Sequence, residues 1–188
     1  VFEEAFIFAT NGTELSTEWS KSIINECNKI KRDISAQDID SRKDLRSLNF
    51  VTIDGSNAKD FDDAVYAEEN SDGYLLYVAI ADVSEYVLQD SSLDKEALSR
   101  ATSVYFEKKV IPMLPELISN KLCSLRPHED KLVLTCEIYL DGEGEIKSYE
   151  FFNSVICSKN RLTYDEVEKF YQKGQTALSD DIVSNLNA

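Results

Sequence analysis

The sequence predicts an α+β fold, in which a mixed, largely antiparallel sheet is flanked by helices. Three observations predict this class. Apolar and polar residues alternate over 131–140, a continuous apolar run covers 75–83, and Asp-Gly pairs at 72–73 and 141–142 provide hairpin turns. Stretches with helical spacing lie between the strands. Hairpins imply antiparallel neighbours, and the intervening helices imply a layer packed on the sheet.

The N-terminal part is predicted to contain one helix. Residues 1–16 contain the apolar side chains Phe2, Ala5, Phe6 and Phe8. We interpret this stretch as the end of a strand that belongs with upstream structure. From Thr17 to about Lys31, one helical face carries Trp19, Ile23, Cys27 and Ile30, with Ser16 or Thr17 as N-cap. Residues 31–44 are polar and mixed in charge, which predicts an exposed connector.

The main body is predicted to contain five strands and three helices. The strands cover 50–54, 64–67, 75–83, 131–140 and 145–157. The helices run from the caps Ser91 and Ser92 to near Ser103, from Pro115 over a short apolar stretch, and from Thr163 through Phe170 and Tyr171. The tail from Gly174 to Ala188 shows little pattern.

Composition limits the possible classes of protein. The 188 residues are 43% hydrophobic and 29% charged, which suits one globular unit. No run approaches the roughly 18 apolar residues of a membrane span, and the first residues lack the basic-then-apolar pattern of a signal peptide. Four scattered cysteines and a single histidine give no zinc pattern, so we expect reduced thiols. The net charge of −15 argues against nucleic acid, unless carboxylates hold cations.

Four aspartates crowd one loop. Asp54 ends a predicted strand, and Asp60, Asp62 and Asp63 follow, with the spacing D-x5-D-x-D-D. These carboxylates would repel each other without counter-charge, and Lys59 alone cannot neutralise all four. Hard divalent cations such as Mg²⁺ prefer carboxylate oxygens. A metal site is therefore one candidate for this loop.

Spacing alone leaves other interpretations of this loop open. A solvated acidic loop is equally compatible with a chain that contains 35 acidic residues. A calcium-binding EF-hand loop is disfavoured, because the central glycine and the glutamate at the twelfth position are both missing. Spacing does not decide between the acidic loop and the metal site.

The surrounding sequence resembles a known family over about Arg42 to Phe170. The runs DLRSLNFVTIDGSNAKDFDDAVYAEE, VAIADVSEYV, LDKEALSRATSVYF and VIPMLPELISNKLCSLRP resemble the catalytic RNB domain of ribonuclease II and ribonuclease R, and are closer to ribonuclease R. The resemblance implies processive 3′-to-5′ hydrolysis of single-stranded RNA to nucleoside 5′-monophosphates. It also implies that residues 1–40 lead from upstream cold-shock-type domains and that 41–188 form the N-terminal portion of the RNB domain.

The resemblance assigns roles to six residues. It makes Asp54, Asp60, Asp62 and Asp63 the metal-binding active site, with Mg²⁺ as cofactor and Mn²⁺ as the alternative ion. We take Asp62 as the member essential for turnover. Tyr105 matches a tyrosine that stacks on bases near the 3′ end, and Tyr164 matches one that contacts RNA further along and helps to distinguish ribose from deoxyribose. Without the resemblance, core packing would be the simpler interpretation of either tyrosine.

Other polar residues receive weaker interpretations. Six basic residues are candidates for contacts with the RNA backbone: Lys108, Lys109, Lys121, Arg126, Lys159 and Arg161. For each of them, a solvated charge on the surface is the simpler interpretation. Asp82 is a candidate support for the site, and His128 is structural or exposed. Glu85 and Glu107 depart from the family pattern and would place acid near the RNA path.

The resemblance also sets expectations for the whole molecule. The family's catalytic domain is about twice as long as the matched part, so we expect this chain alone to have weak or no nuclease activity. We expect a cytoplasmic monomer that contacts neither membrane nor DNA, with single-stranded RNA and other RNA-decay proteins as partners. The competing function is a non-catalytic RNA- or protein-binding member of the same fold, and an acidic interaction domain that never meets RNA is a third possibility.

Overall fold

The computed structural model describes residues 2–13, 15–173 and 179–188. In this part of the chain, seven strands form one sheet and two short strands form a separate hairpin. The strands are β1 (Lys43–Asp44), β2 (Val51–Asp54), β3 (Asp63–Asn70), β4 (Gly73–Ala81), β5 (Val104–Tyr105), β6 (Val110–Ile111), β7 (Asp130–Asp141), β8 (Ile146–Cys157) and β9 (Asn160–Thr163). The helices are α1 (Phe2–Thr10), α2 (Lys21–Cys27), α3 (Ala36–Asp40), α4 (Ser92–Arg100), α5 (Tyr164–Lys173) and α6 (Asp180–Asn187).

The large sheet has the order β1-β8-β7-β4-β3-β2-β9. Its five central strands pair antiparallel, whereas the edge strands β1 and β9 pair parallel with β8 and β2. The hairpin at Gly73 requires glycine, because its φ is +143° and a Cβ there would lie 2.1 Å from the carbonyl oxygen of Leu140. The predicted α+β class with a mixed, largely antiparallel sheet is confirmed.

Two apolar clusters hold the layers together. The larger cluster lies between one sheet face and helices α2 and α4, and its fully buried members include Phe50, Ile118 and Leu125. The smaller cluster packs α6 against β2 and β9 through Val51, Leu162 and Ile182. Phe50 of the larger cluster directly precedes β2, and Val51 of the smaller cluster begins it. Val51 and Thr52 are both buried, so the first half of β2 is covered on both faces.

The N-terminal predictions need correction. Residues 2–10 form helix α1 rather than a strand, since Phe2 and Phe6 stack one turn apart with ring centroids at 6.4 Å. Helix α2 begins at Lys21, because Ser20 is the N-cap and its Oγ accepts a hydrogen bond from the Ile23 amide. Ser16 and Thr17 lie outside it. The connector contains α3, whose capping box at Ser35 stabilises a short helix within a polar stretch.

The later predictions are closer to the structure. All five predicted strands are present, with bounds shifted by a few residues at most. Helix α4 starts after the predicted cap Ser91 but ends at Arg100, short of the predicted end near Ser103, and Ala101 is exposed with φ of 62°. The segment after Pro115 forms a π-helical turn at Ile118–Leu122. The tail contains α6, which we did not predict, and residues 174–178 lie outside the described part.

Helices long and apolar enough to cross a membrane are absent from the described residues. The four cysteines are free thiols, as expected, with Cys27 and Cys123 buried.

Candidate active site

The four predicted aspartates sit on the connection between β2 and β3. Asp54 is the last residue of β2 and Asp63 is the first of β3, so both ends of the connection belong to the central sheet. Asp60 and Asp62 lie on the intervening loop. The Asp62 carbonyl accepts a hydrogen bond from the Ala81 amide at 2.9 Å, which attaches the loop to the end of β4.

A buried serine fixes the same loop to the core. The Ser124 Oγ donates to the Lys59 carbonyl at 2.8 Å and accepts from the Phe61 amide at 3.2 Å. The Phe61 carbonyl in turn accepts from the Leu125 amide at 2.8 Å, and Ser124 is fully buried. These bonds hold the backbone on both sides of Asp60. Sequence reasoning missed Ser124, because a serine within an apolar run gives no signal of its partners.

The aspartates are close enough to change one another's ionisation. Part of Asp62 is exposed, yet desolvation of its carboxyl and the charges of Asp60, Asp63 and Asp54 raise its pKa to about 6. The pKa of Asp54 is also raised, first by desolvation and next by the charge of Asp63. The cluster therefore carries unbalanced negative charge, which a cation would relieve.

Arg161 supplies the positive charge beside this loop. Its Nη2 donates to the carbonyls of Gly55 and Ser56 at 2.9 and 2.7 Å, and its guanidinium lies 5.3 Å from the Phe61 ring centroid. The charge of Arg161 opposes the rise in the Asp54 pKa. We predicted a surface charge or RNA contact here, whereas the structure places the side chain against the turn that follows Asp54.

Three buried polar atoms of β2 and β9 have no hydrogen-bond partner among the described residues: Thr52 Oγ1, Asp54 Oδ2 and Arg161 Nε. Thr52 and Asp54 lie two positions apart on β2, and Arg161 is the register partner of Thr52 on β9. An unpaired buried carboxylate oxygen is costly, and a cation or a donor would satisfy it. The donor chemistry at Asp54 therefore fits a hard metal ion.

The oxygen donors suit a metal ion, but their side chains are not arranged as a complete set of ligands. Among residues 2–13, 15–173 and 179–188, no three histidine, cysteine, aspartate or glutamate side chains are grouped so that they could hold a metal ion. A tetrahedral or octahedral ion held only by this chain would therefore require side-chain rotation. Water and phosphate oxygens are the usual additional ligands of Mg²⁺.

One of the predicted tyrosines contacts the cluster directly. The Tyr105 hydroxyl donates to Asp60 Oδ2 at 2.7 Å, and this bond, with burial, raises the Tyr105 pKa to about 12. Tyr105 and Asp60 line a groove of about 660 Å³. The lining also includes Lys59, Glu107, Lys108 and Lys109.

Tyr164 lies close to the end of β2. It begins α5 directly after Thr163, the register partner of Asp54 on the parallel strand β9. Its side chain is 63% exposed, so its ring is available to a ligand. The structure thus brings all six predicted site residues to the region around the end of β2, with Tyr105 and Tyr164 both exposed.

Asp82 and Glu85 belong to a different group of charges. The Arg42 Nη2 lies 2.7 Å from Asp82 Oδ2 and 2.8 Å from Glu85 Oε2, and the Ser84 hydroxyl donates to Asp82 Oδ1 at 2.6 Å. Asp82 is therefore a partner of Arg42 rather than a support for the aspartate cluster. Glu85 forms a second ion pair with the same arginine.

Most of the candidate basic residues have partners inside the molecule. Lys109 pairs with Glu3 at 2.8 Å, Lys159 donates to the Arg46 carbonyl at 2.8 Å, and Arg126 donates to the Asn120 carbonyl at 2.7 Å. Lys108 lies 5.8 Å from the Phe2 ring centroid. His128 is exposed in a turn with φ of 65°, which agrees with the prediction that it is structural or exposed.

Comparison with known proteins connects this geometry to a family. The family model of the RNB domain matches residues 42–188. Ribonuclease R of Acidithiobacillus ferrooxidans is 49% identical over 153 residues, which cover 81% of this chain and 35% of that protein. Ribonuclease R of Escherichia coli (strain K12) is 45% identical over 163 residues, which cover 86% of this chain and 20% of that protein. The chain thus spans about a third or less of these relatives.

Solved structures show the same fold. Mycoplasma genitalium RNase R in complex with double-stranded RNA superposes with a TM-score of 0.89 at 36% identity, over 98% of this chain and 32% of that one. The structure of yeast Ssd1, a pseudonuclease, superposes with a TM-score of 0.69 at 22% identity, over 82% of this chain and 19% of that one, and this likeness concerns the fold alone. From the family match over most of its length and the ribonuclease R relatives, we conclude that the chain belongs to the RNB domain family.

Proposed function

We propose that this chain provides the metal-binding half of an active site that hydrolyses single-stranded RNA processively from its 3′ end and releases nucleoside 5′-monophosphates. The observation that carries this proposal is the D-x5-D-x-D-D cluster, held on a loop fixed to the core, with an unpaired buried oxygen on Asp54. The relatives named ribonuclease R support the reaction class.

Asp54, Asp60, Asp62 and Asp63 are the proposed ligands of Mg²⁺, with Mn²⁺ as the alternative. When bound, such an ion would offset phosphate charge and acidify a coordinated water. Asp62 is the proposed member that orients the attacking water. Its raised pKa, about 6, reflects desolvation and the repulsion of the neighbouring carboxylates, which a bound cation would relieve. Arg161 keeps the turn after Asp54 in place through the Gly55 and Ser56 carbonyls.

The two exposed tyrosines are the proposed RNA contacts. Tyr105 and Tyr164 are 64% and 63% exposed; Tyr105 contacts Asp60, and Tyr164 follows the register partner of Asp54. Stacking of a base on an aromatic ring tolerates any base and contributes about 1–3 kcal/mol. The groove at Tyr105 provides Lys59 and Lys108 beside the proposed stacking site. This combination suits a single strand of any sequence.

Activity of the 188-residue chain alone is proposed to be weak or absent. Its described carboxylates do not form a three-ligand group, and the net charge of −15 opposes RNA binding. The alternative is a non-catalytic RNA- or protein-binding member of the fold. The intact four-aspartate spacing favours catalysis over this alternative, because binding alone does not need four mutually repelling acids.

The test uses a full-length protein that contains this sequence. Wild type and Asp62→Asn are incubated with Mg²⁺ and a 3′-tailed single-stranded RNA, and the products are separated by length. We expect the wild type to release nucleoside 5′-monophosphates, and Asp62→Asn to bind the RNA equally well while losing turnover at least about 100-fold. Normal turnover by Asp62→Asn would remove its proposed role. An inactive wild type that binds RNA would favour the alternative.

A further inference from the structure

The contact between Tyr105 and Asp60 joins two parts of the molecule. Asp60 lies on the loop between β2 and β3, whereas Tyr105 lies on the separate hairpin of β5 and β6. Their hydrogen bond, at 2.7 Å, is the contact that brings the tyrosine hydroxyl to the aspartate cluster. The hairpin is itself anchored on α1, where the Phe106 and Phe6 rings meet edge to face at 4.9 Å. The hydroxyl is therefore held at a defined place.

Asp60 differs from Asp54 in how its oxygens are satisfied. Asp60 Oδ2 accepts from Tyr105, and Oδ1 accepts a longer bond of 3.3 Å from the Lys59 amide. In contrast, Asp54 Oδ2 is buried without a partner in the described chain. Hydrogen bonds to a carboxylate occupy the lone pairs that a cation would use. Asp60 is thus restrained by its protein partners, in keeping with the absence of a grouped set of three ligands among the described residues.

We infer that Tyr105 is a positioning residue for Asp60: its hydroxyl restrains the carboxylate in the free protein, while its exposed ring remains available to a base. This inference rests on the proposed function, since it assumes that Asp60 is a metal ligand. A base that stacks on the ring changes the environment of the same side chain that restrains Asp60. RNA contact and completion of the metal site are therefore linked through one residue.

The test separates the hydroxyl from the ring. Tyr105→Phe removes the bond and keeps the stacking surface, whereas Tyr105→Ala removes both. Tyr139→Phe is the matched control, because the Tyr139 hydroxyl also donates to a carboxylate, Glu137 Oε1 at 3.1 Å, on strand β7. The 188-residue chain is melted over a Mg²⁺ series at constant ionic strength, and binding of a single-stranded oligoribonucleotide is measured in EDTA.

We expect Tyr105→Phe to lower the Mg²⁺ concentration of half-maximal stabilisation by about three- to tenfold, because metal binding no longer breaks a charge-assisted hydrogen bond. Tyr139→Phe should leave this concentration unchanged. In an Asp60→Asn background the effect of Tyr105→Phe should disappear, since the tyrosine acts through that carboxylate. Tyr105→Phe should keep wild-type RNA affinity, and Tyr105→Ala should lose about tenfold.

The outcomes distinguish this inference from the proposed function. If wild type and Tyr105→Phe respond to Mg²⁺ at the same concentration, or Tyr105→Phe requires more, the positioning role is overturned and the metal site stands. Persistence of the Tyr105→Phe effect in the Asp60→Asn background would also overturn it. If neither protein responds to Mg²⁺, both the inference and the proposed metal site fail.

Discussion

Arg161 on β9 lies beside Asp54 at the end of β2, and the charge of the arginine opposes the desolvation and the neighbouring carboxylates that raise the Asp54 pKa. The same guanidinium donates to the carbonyls of Gly55 and Ser56. One side chain thus acts on both the charge of the cluster and the shape of its loop. Arg161 thus offsets part of the negative charge at Asp54 before any metal binds.

Replacement of Arg161 by glutamine should destabilise the fold by about 1–3 kcal/mol, because two carbonyls lose their donor and Asp54 loses its counter-charge. Urea unfolding in EDTA measures this change. Arg32→Gln, at an exposed position of the N-terminal connector, controls for loss of one positive charge. Equal stability of the two variants would show that Arg161 does not organise the loop.

Asp62 should make stability depend on pH. Its pKa in the folded protein is about 6, above the value of about 3.9 expected when unfolded, so the folded state binds the proton more tightly. The stabilisation from this proton is complete below about pH 4 and is lost as pH rises through about 6.

Asp62→Asn removes this pH-dependent loss. In EDTA at about pH 8 the variant should be more stable than wild type by on the order of 1 kcal/mol, discounted for solvent screening, and the difference should shrink towards pH 4. Thermal melting at the two pH values measures it. Asp72→Asn, on an exposed hairpin turn, controls for the lost negative charge. A pH-independent difference would contradict the repulsion within the cluster.

Ser124→Ala should loosen the aspartate loop. The Lys59 carbonyl and the Phe61 amide would lose their buried partner, at a cost of about 1–3 kcal/mol in unfolding free energy. Amide exchange at Phe61 should accelerate relative to wild type. Ser99→Ala, on the exposed side of α4, provides the matched substitution. Unchanged exchange at Phe61 in Ser124→Ala would show that other contacts hold the loop.

The sheet could be predicted from sequence because its signals are local. The Asp-Gly turn at 72–73 and the alternation over 131–140 each specify a strand and its antiparallel neighbour without information from elsewhere. The parallel edge strands carry no such signal. Strand β9 has only four residues, and its place beside β2 depends on contacts between Asn160–Thr163 and a strand over 100 residues earlier.

Helices α1 and α6 were missed for different reasons. Helix α6 is held by a long-range contact, in which the buried Asn185 accepts from the Ala67 amide at 2.7 Å and donates to the Asn49 carbonyl at 2.9 Å. Ile182 and Leu186, one turn apart, also pack against β2 and β9, but two apolar residues in a short polar segment gave too little pattern for a prediction. In α1 the spacing of Phe2 and Phe6 was a helical signal that we interpreted as a strand end.

The members of the candidate site were predicted, but their connections were not. Residue type and spacing identified the four aspartates, and the resemblance identified Tyr105 and Tyr164. Three contacts of the site join partners that lie more than 40 residues apart in the sequence. They join Tyr105 to Asp60, Arg161 to Gly55, and Ser124 to Lys59. Only the folded chain brings these partners together.

The central claim is that the aspartate cluster holds a divalent cation. The direct measurement is the melting temperature of the 188-residue chain in EDTA and in a Mg²⁺ series at constant ionic strength, for wild type and Asp60→Asn. We predict that Mg²⁺ raises the wild-type melting temperature and that Asp60→Asn, although more stable in EDTA from reduced repulsion, gains much less. An equal Mg²⁺-dependent gain in both proteins, or none in wild type, would contradict the account.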